Sequence, residues 1–246
     1  DILFFWGARM RMFGIHFMGE VPFRRVRLHL MGRDEKGNKM SKTRGNIIDP
    51  WTVLSTRGAD ALRWNMFSAG SPWVPKRMSV ESIDNTTNRF LRTLWNTYSF
   101  FVTYANLDGW TPPTGGNETN DPASATHVMD RWLRSRLSST VVEVTEALEQ
   151  FDAFAGAQSL ERFIDDLSNW YVRRSRPRFW KSSDRAAHLT LFESLTTVAR
   201  LLAPYCPFLA DRIWRNLTSA NESVHLADWP EPDSAAFDPT LEQEMR

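Results

Sequence analysis

Phe90-Leu91-Arg92-Thr93-Leu94-Trp95-Asn96-Thr97-Tyr98-Ser99-Phe100-Phe101-Val102 is the stretch on which the fold turns. With Ile83 ahead of it, Phe90, Leu91, Leu94, Trp95, Tyr98, Phe101 and Val102 recur at helical spacing and share one wide apolar face. Such a face is covered best by other helices, and the residues downstream supply them. Trp132, Leu133, Leu137, Val141, Val144, Leu148 and Phe151 predict a second long helix. Leu160, Phe163, Ile164, Leu167 and Tyr171 predict a third, and Leu189, Phe192, Leu195, Val198, Leu201 and Leu202 a fourth that Pro204 closes. Pro207 suits the first position of a fifth, which turns Phe208, Ile213, Trp214 and Leu217 inward. An antiparallel helix bundle over residues 76–228 is therefore expected. Gly109 to Pro122 reads as a surface loop, and residues 229–246, with prolines and scattered acids, read as a tail or linker.

Upstream of the bundle the pattern changes. Gly70-Ser71-Pro72-Trp73-Val74-Pro75 cannot be helical, because each proline biases its predecessor towards an extended conformation, so it is expected to connect two modules. Ahead of it, Asp49-Pro50 supplies an N-cap and a first-turn proline, and Gly58 a left-handed stop, for one short helix, with a second over Ala59 to Ser68. The apolar residues from Asp1 to Phe17 predict a mostly buried helix that Gly19-Glu20-Val21-Pro22 ends. Phe23 to Leu30 alternates in part and predicts a strand, which Asp34-Glu35-Lys36-Gly37-Asn38 turns back. The fold class is thus mostly α with a small α/β portion in residues 1–75.

With 246 residues, 42% of them hydrophobic and 24% charged, the chain can bury a real core. Its 30 basic and 29 acidic side chains nearly cancel, so an anionic partner must be held by local clusters. Cys206 is the single cysteine, which excludes an internal disulfide framework and a Cys-rich zinc site and fits a reducing compartment, the cytoplasm by default. No metal site is expected. The apolar run Ile2 to Trp6 is soon interrupted by Arg9 and Arg11, too short to span a membrane. The start at Asp1, not methionine, predicts a piece of a longer protein.

Chemistry concentrates in Lys39-Met40-Ser41-Lys42-Thr43-Arg44-Gly45-Asn46, where two lysines bracket a methionine and a serine. Such a turn can rest its methionine on a domain surface while ammonium and backbone N–H groups reach a polyanion such as a triphosphate. A lone Lys-x-x-Lys can equally be a solvated basic turn. Its neighbours shift the balance. Lys39–Thr43 resembles the KMSKS signature of class I aminoacyl-tRNA synthetases, with Thr43 in place of the last serine, and Asp34–Asn38, Gly45-Asn46, Asp49-Pro50 and Gly58-Ala59-Asp60-Ala61-Leu62-Arg63 stand in the order of that family. Leu94-Trp95-Asn96, Asp166-Leu167-Ser168-Asn169-Trp170-Tyr171 and Leu201-Leu202-Ala203-Pro204 resemble the helical region of its isoleucyl, valyl and leucyl subgroup. Asp1–Trp6 and Ala8-Arg9-Met10 look more like valyl members. Ser71-Pro72-Trp73, Pro75-Lys76-Arg77, Leu94–Val102 and Val224–Pro230 look isoleucyl, and they span more of the chain.

The resemblance implies that residues 1–75 are the C-terminal part of a Rossmann-like catalytic domain and residues 76–228 an anticodon-binding bundle. It implies ATP as substrate, with Mg2+ accompanying it, an amino acid, and a tRNA held at its anticodon stem and loop, in an enzyme that works as a monomer away from membranes. Lys42 and Lys39 are the catalytic candidates. Lys42, Ser41, Thr43 and His29 are candidates for ATP, and Trp6 for an apolar amino-acid pocket. His29 and Trp6 read equally well as a strand histidine and a core tryptophan. The family follows the histidine with glycine; here Leu30 stands there and Gly32 comes two positions later, a departure that bears on adenine packing. Trp170, Arg173, Arg174, Arg176 and Arg178, with Tyr171, Trp180 and Lys181, interleave aromatics and cations in the manner suited to unstacked RNA bases and phosphates. Asp60 and Arg63 read as structural, Asp60 capping a helix start and Arg63 joining a surface network. A HIGH-type signature and an editing domain, which the family implies, are not found in the sequence, so the chain alone is expected not to charge tRNA. A tRNA-binding module that has lost ATP use is the other reading.

Overall fold

A computed structural model of the chain describes residues 3–28, 32–112, 127–219 and 221–245. Helix α1 runs through Leu3–Gly7, Ala8–Phe13 and Gly14–Met18. Two short helices follow, α2 (Pro50–Arg57) and α3 (Ala59–Ser68). Helix α4 runs unbroken through Val80–Thr86, Thr87–Leu91 and Arg92–Leu107. Next come α5 (Val128–Glu149) and α6, which passes through Ala153–Asp165, Asp166–Val172 and Arg173–Trp180. The last three are α7 (Arg185–Leu202), α8 (Pro207–Thr218) and the short α9 (Pro239–Glu244).

Side-chain caps set several of these ends, and Asp49 with Pro50 is the one read from the sequence. The Asp49 carboxylate accepts from the Trp51 N–H with Pro50 in the first turn, and Ser79 forms a reciprocal capping box with Ser82. Asp152 and Asp184 cap α6 and α7 by accepting from Ala155 and from Ala186 and Ala187. Gly58 has φ 85° and ψ 164°, so it stops α2 with a positive-φ extended conformation and not a left-handed helical one, and glycine is the residue that adopts it cheaply.

Helices α4 to α8 close around one core in which Leu94, Phe101, Trp132, Phe163, Leu195 and Ile213 are fully or nearly fully buried. Each such side chain contributes about 1.5–3 kcal/mol relative to exposure. Trp64 of α3 belongs to the same core and stacks on Phe90 of α4 with ring centroids 3.8 Å apart. Val53, Ala61 and Ile83 form a smaller cluster that joins α2, α3 and α4.

Three further expectations differ from what is seen. Helix α1 forms, but it is not buried: Phe4 is 78% exposed, Trp6 59% and Phe17 70%, because no described element covers its apolar side chains. Residues 23–28 are irregular and not a strand, since no neighbouring strand offers them a ladder; the described residues hold only isolated bridges from Arg33 to Lys39 and Arg77. The described part of the tail is docked. Trp229 donates its indole N–H to Thr145 Oγ1 at 2.8 Å, and Glu242 of α9 accepts from Ser135, Ser139 and Arg136 of α5. Burial raises the Glu242 pKa, but these hydrogen bonds outweigh it and hold the carboxyl below its ordinary value. Polar bonds of this kind leave no apolar period in the sequence, which is why the tail could not be placed from it.

Candidate functional site

The Asp34–Asn38 turn brings Arg33 and Lys39 into an antiparallel bridge, and Gly37, at φ 82°, supplies its tight corner. Asp34 organises the lysine turn beyond it. Its carboxylate accepts from the Asn38 N–H at 2.6 Å and from the Asn46 side-chain amide at 2.8 Å. The Asn46 bond, chief among the causes, holds the Asp34 carboxyl below the usual range. Asn46 Nδ2 also donates to the Lys39 carbonyl, while its Oδ1 accepts from the Ser41 N–H at 2.9 Å. One carboxamide therefore ties together both ends of the lysine turn.

Inside that clasp, Ser41 caps a 3-10 turn over Lys42–Arg44, accepting from the Arg44 N–H, and Gly45 closes it in the left-handed region at φ 65°. Met40 is half-buried and its methyl lies over Gly32, where an added Cβ would be only 3.3 Å away. Lys39, Lys42 and Thr43 are exposed, and neither lysine makes an ion pair among the described residues. The turn is thus braced from inside, with two ammonium groups presented outward. His29 and Leu30 lie outside the described residues. Trp6 sits on exposed α1, with the Arg9 guanidinium 5.9 Å from its ring centroid.

Asp60 and Arg63 are structural, in a way the sequence did not reveal. Asp60 caps not its own helix but α8, accepting from the Leu209 N–H at 2.7 Å and the Phe208 N–H at 3.5 Å. Arg63 donates to the carbonyls of Pro204 and Tyr205 at 2.7 and 3.0 Å. The Gly58–Arg63 and Leu201–Pro204 motifs, far apart in sequence, form one junction.

On α6 the aromatic-cation cluster divides. Arg173, Arg174 and Arg176 are exposed on the outer side, and Arg174 lies 3.7 Å from the centroid of the Trp170 ring, which is half-buried and packs against the core. Arg178 is turned inward. Its Nη1 and Nη2 donate to both oxygens of Asp130 at 2.6 and 2.7 Å, and its Nε to Asp184 at 2.8 Å. The buried Tyr171 hydroxyl donates to Asp130 as well, and burial together with that carboxylate pushes the phenol well above its ordinary pKa. Sequence spacing alone could not separate Arg178 from its neighbours, since its partners lie on α5 and at the start of α7. Cys206 is free and buried, and burial pushes its thiol pKa up. Among the described residues no three His, Cys, Asp or Glu side chains converge as a metal site, and no helix is long and apolar enough to cross a membrane.

The profile of the class I tRNA synthetases (I, L, M and V) matches residues 1–74, and that of the anticodon-binding domain of tRNA ligases matches residues 130–246. The chain belongs to the class I aminoacyl-tRNA synthetases. Its relatives include the isoleucine–tRNA ligase of Thermus thermophilus, 45% identical over 98% of this chain and 24% of that enzyme. The isoleucine–tRNA ligases of Deinococcus radiodurans (47%) and Streptomyces avermitilis (46%) match 86% and 88% of this chain and 20% of their own lengths. The chain thus spans a quarter or less of these relatives. The agnB2 LeuRS of Agrobacterium radiobacter K84, solved in a ternary complex with tRNA and LeuAMS, shares the fold with a TM-score of 0.71 at 18% identity, over 94% of this chain and 27% of its own.

Proposed function

We propose that the chain forms the ATP-phosphate loop and the anticodon-binding bundle of an isoleucine–tRNA ligase. The observation that carries this reading is the clasped turn with Lys39 and Lys42 presented outward, in a chain 45% identical to such a ligase. In this reading residues 1–75 are the C-terminal part of a Rossmann-like catalytic domain, residues 76–228 an antiparallel anticodon-binding bundle, and residues 229–246 a tail that braces α5.

The carboxylate of isoleucine attacks the α-phosphate of ATP, pyrophosphate leaves, and a terminal tRNA hydroxyl then takes the acyl group from the adenylate. Such chemistry depends on positioning and on stabilising charge spread over phosphate oxygens. Lys42, with Lys39 second, neutralises that charge, and Ser41 and Thr43 add hydroxyls and shape the turn. Mg2+ arrives with the triphosphate. His29 serves the adenine side and Trp6 the amino-acid pocket. Since an apolar pocket separates isoleucine from valine by only about 1–3 kcal/mol, selectivity also needs hydrolysis of the wrong product elsewhere in the enzyme. The test is aminoacylation by the full-length protein with each amino acid. Stable charging with isoleucine and not valine is expected, and stable charging with valine alone would refute the assignment.

Trp170, Arg173, Arg174 and Arg176 bind the anticodon stem and loop by stacking and phosphate contacts. Replacing Arg174 with alanine should weaken stem-loop binding by about 1 kcal/mol and flatten its dependence on salt, both read in a titration at several salt concentrations.

A further inference from the structure

A cavity of about 550 Å³ opens where the end of α3, the connector and the α5–α6 turn meet. Its lining is chiefly apolar, with Phe67, Leu148 and Phe154 among the walls. Three cationic side chains, Arg27, Arg63 and Lys76, also line it, and no carboxylate does among the described residues. This volume falls in the ordinary range for small-molecule sites, which combine apolar walls with a few placed polar groups.

Lys76 is the informative group. It is half-buried and directly follows the connector, and its ammonium donates to the Met66 carbonyl in the final turns of α3 at 2.5 Å. That bond suits the negative end of the helix dipole, but it uses one of three ammonium donors. Lys76 makes no ion pair among the described residues, and its nearby charge is the like charge of Arg27; burial first, and then Arg27, lowers its pKa. Arg63 is committed to the Pro204 and Tyr205 carbonyls, Arg27 lies 5.7 Å from the Trp73 ring centroid, and both are themselves cations, so the described lining holds no counter-charge for Lys76. A partly desolvated cation beside a second cation, over apolar walls, is an arrangement that an anion with an apolar body relieves.

The geometry points to a binding site for a small amphipathic anion, its carboxylate or sulfonate on Lys76 and Arg27 and its apolar body against Phe67, Leu148 and Phe154. The occupant would bridge the connector and the bundle and so stiffen their junction. The cavity borders the lysine turn at Gly32, over which the Met40 methyl lies, but Lys39 and Lys42 do not line it, and the site does not depend on the chain's role in tRNA charging.

Decanoate is the probe, with decyltrimethylammonium as the cation of matched apolar body, each titrated below its micellar range by calorimetry against the 246-residue chain. Decanoate should bind saturably at one site, and Lys76→Gln should weaken it about tenfold. Ala69→Trp, at the exposed mouth of the cavity, should abolish binding and leaves the core untouched, so it decides the matter if the Lys76 variant fails to fold. Equal binding of the cation, unchanged affinity in either folded variant, or no saturable binding of decanoate would overturn the site.

Discussion

Replacing Asp130 with alanine should destabilise the bundle by about 3–5 kcal/mol, the cost of stranding a buried partner charge. Asp130 is fully buried near the start of α5 and receives three hydrogen bonds, two from Arg178 and one from Tyr171. Without it the Arg178 guanidinium keeps only Asp184, and the buried Tyr171 hydroxyl keeps a 3.4 Å bond to the Ala187 carbonyl. The variant Asp130→Asn preserves the shape but turns an N–H towards a guanidinium, so it should also lose stability. Urea unfolding followed by circular dichroism measures both. Because the loss comes chiefly from an unpaired charge, Asp130→Ala combined with Arg178→Met should cost less than the sum of the single changes. A loss below about 1 kcal/mol for Asp130→Ala would show that the network contributes little. The same geometry separates Arg178 from the outer arginines: its replacement should be felt in stability, and theirs in RNA affinity.

In the full-length ligase, Lys42→Ala should slow adenylate formation by about 10²–10³-fold while tRNA binding is unchanged, the scale seen when one preorganised charge-stabilising donor is removed. The expectation rests on how the turn is built. The Lys42 side chain takes no part in the clasp: the bonds that hold the turn run through Asp34, Asn46, Ser41 and the backbone, including the Gly45 N–H to the Lys42 carbonyl, so removing the side chain leaves the support in place. Single-turnover pyrophosphate exchange reads the first step, and filter binding of tRNA reads the second site. Equal losses in the two assays would contradict a role at the phosphates and point to a general loss of structure. Lys39→Ala should follow the same pattern with a smaller effect, since its carbonyl is engaged by Asn46 and its side chain starts from the bridge to Arg33.

The helices were legible because their signal is periodic. Phe90 to Val102, and the apolar runs of α5 to α8, repeat at helical spacing, and two helix starts are marked locally: Asp49 with Pro50 at α2, and Pro207 in the first turn of α8. What escaped lies between distant residues. The Asp34–Asn46 clasp spans twelve positions, the Asp60 cap reaches across 149 and the Ser135–Glu242 bond across 107. None leaves a period, and each is written in residue types common in any loop. Phe23 to Leu28 failed for another reason. Partial alternation describes a side-chain pattern, whereas a strand also needs a neighbour with free backbone groups, and the described residues provide none. For α1, the apolar residues foretold the helix, but the burial expected of it needs a covering element that the described residues do not supply.

The attachment of α3 carries a consequence for anyone who would divide this chain. The prolines at 72 and 75 invite a cut there, with the bundle expressed from residue 76 onward. Such a piece would lack Trp64, which fills part of the bundle's own core against Phe90 and Tyr205, and would strip the α7–α8 corner of the side chains bonded to its exposed backbone. A cut ahead of α3 keeps that attachment, and gives up Val53 of the small cluster with Ala61 and Ile83 and the Arg57–Asp84 ion pair. A bundle that starts at Gly58 would bring its own lid, whereas one that starts at Lys76 would have to leave the corner open to water.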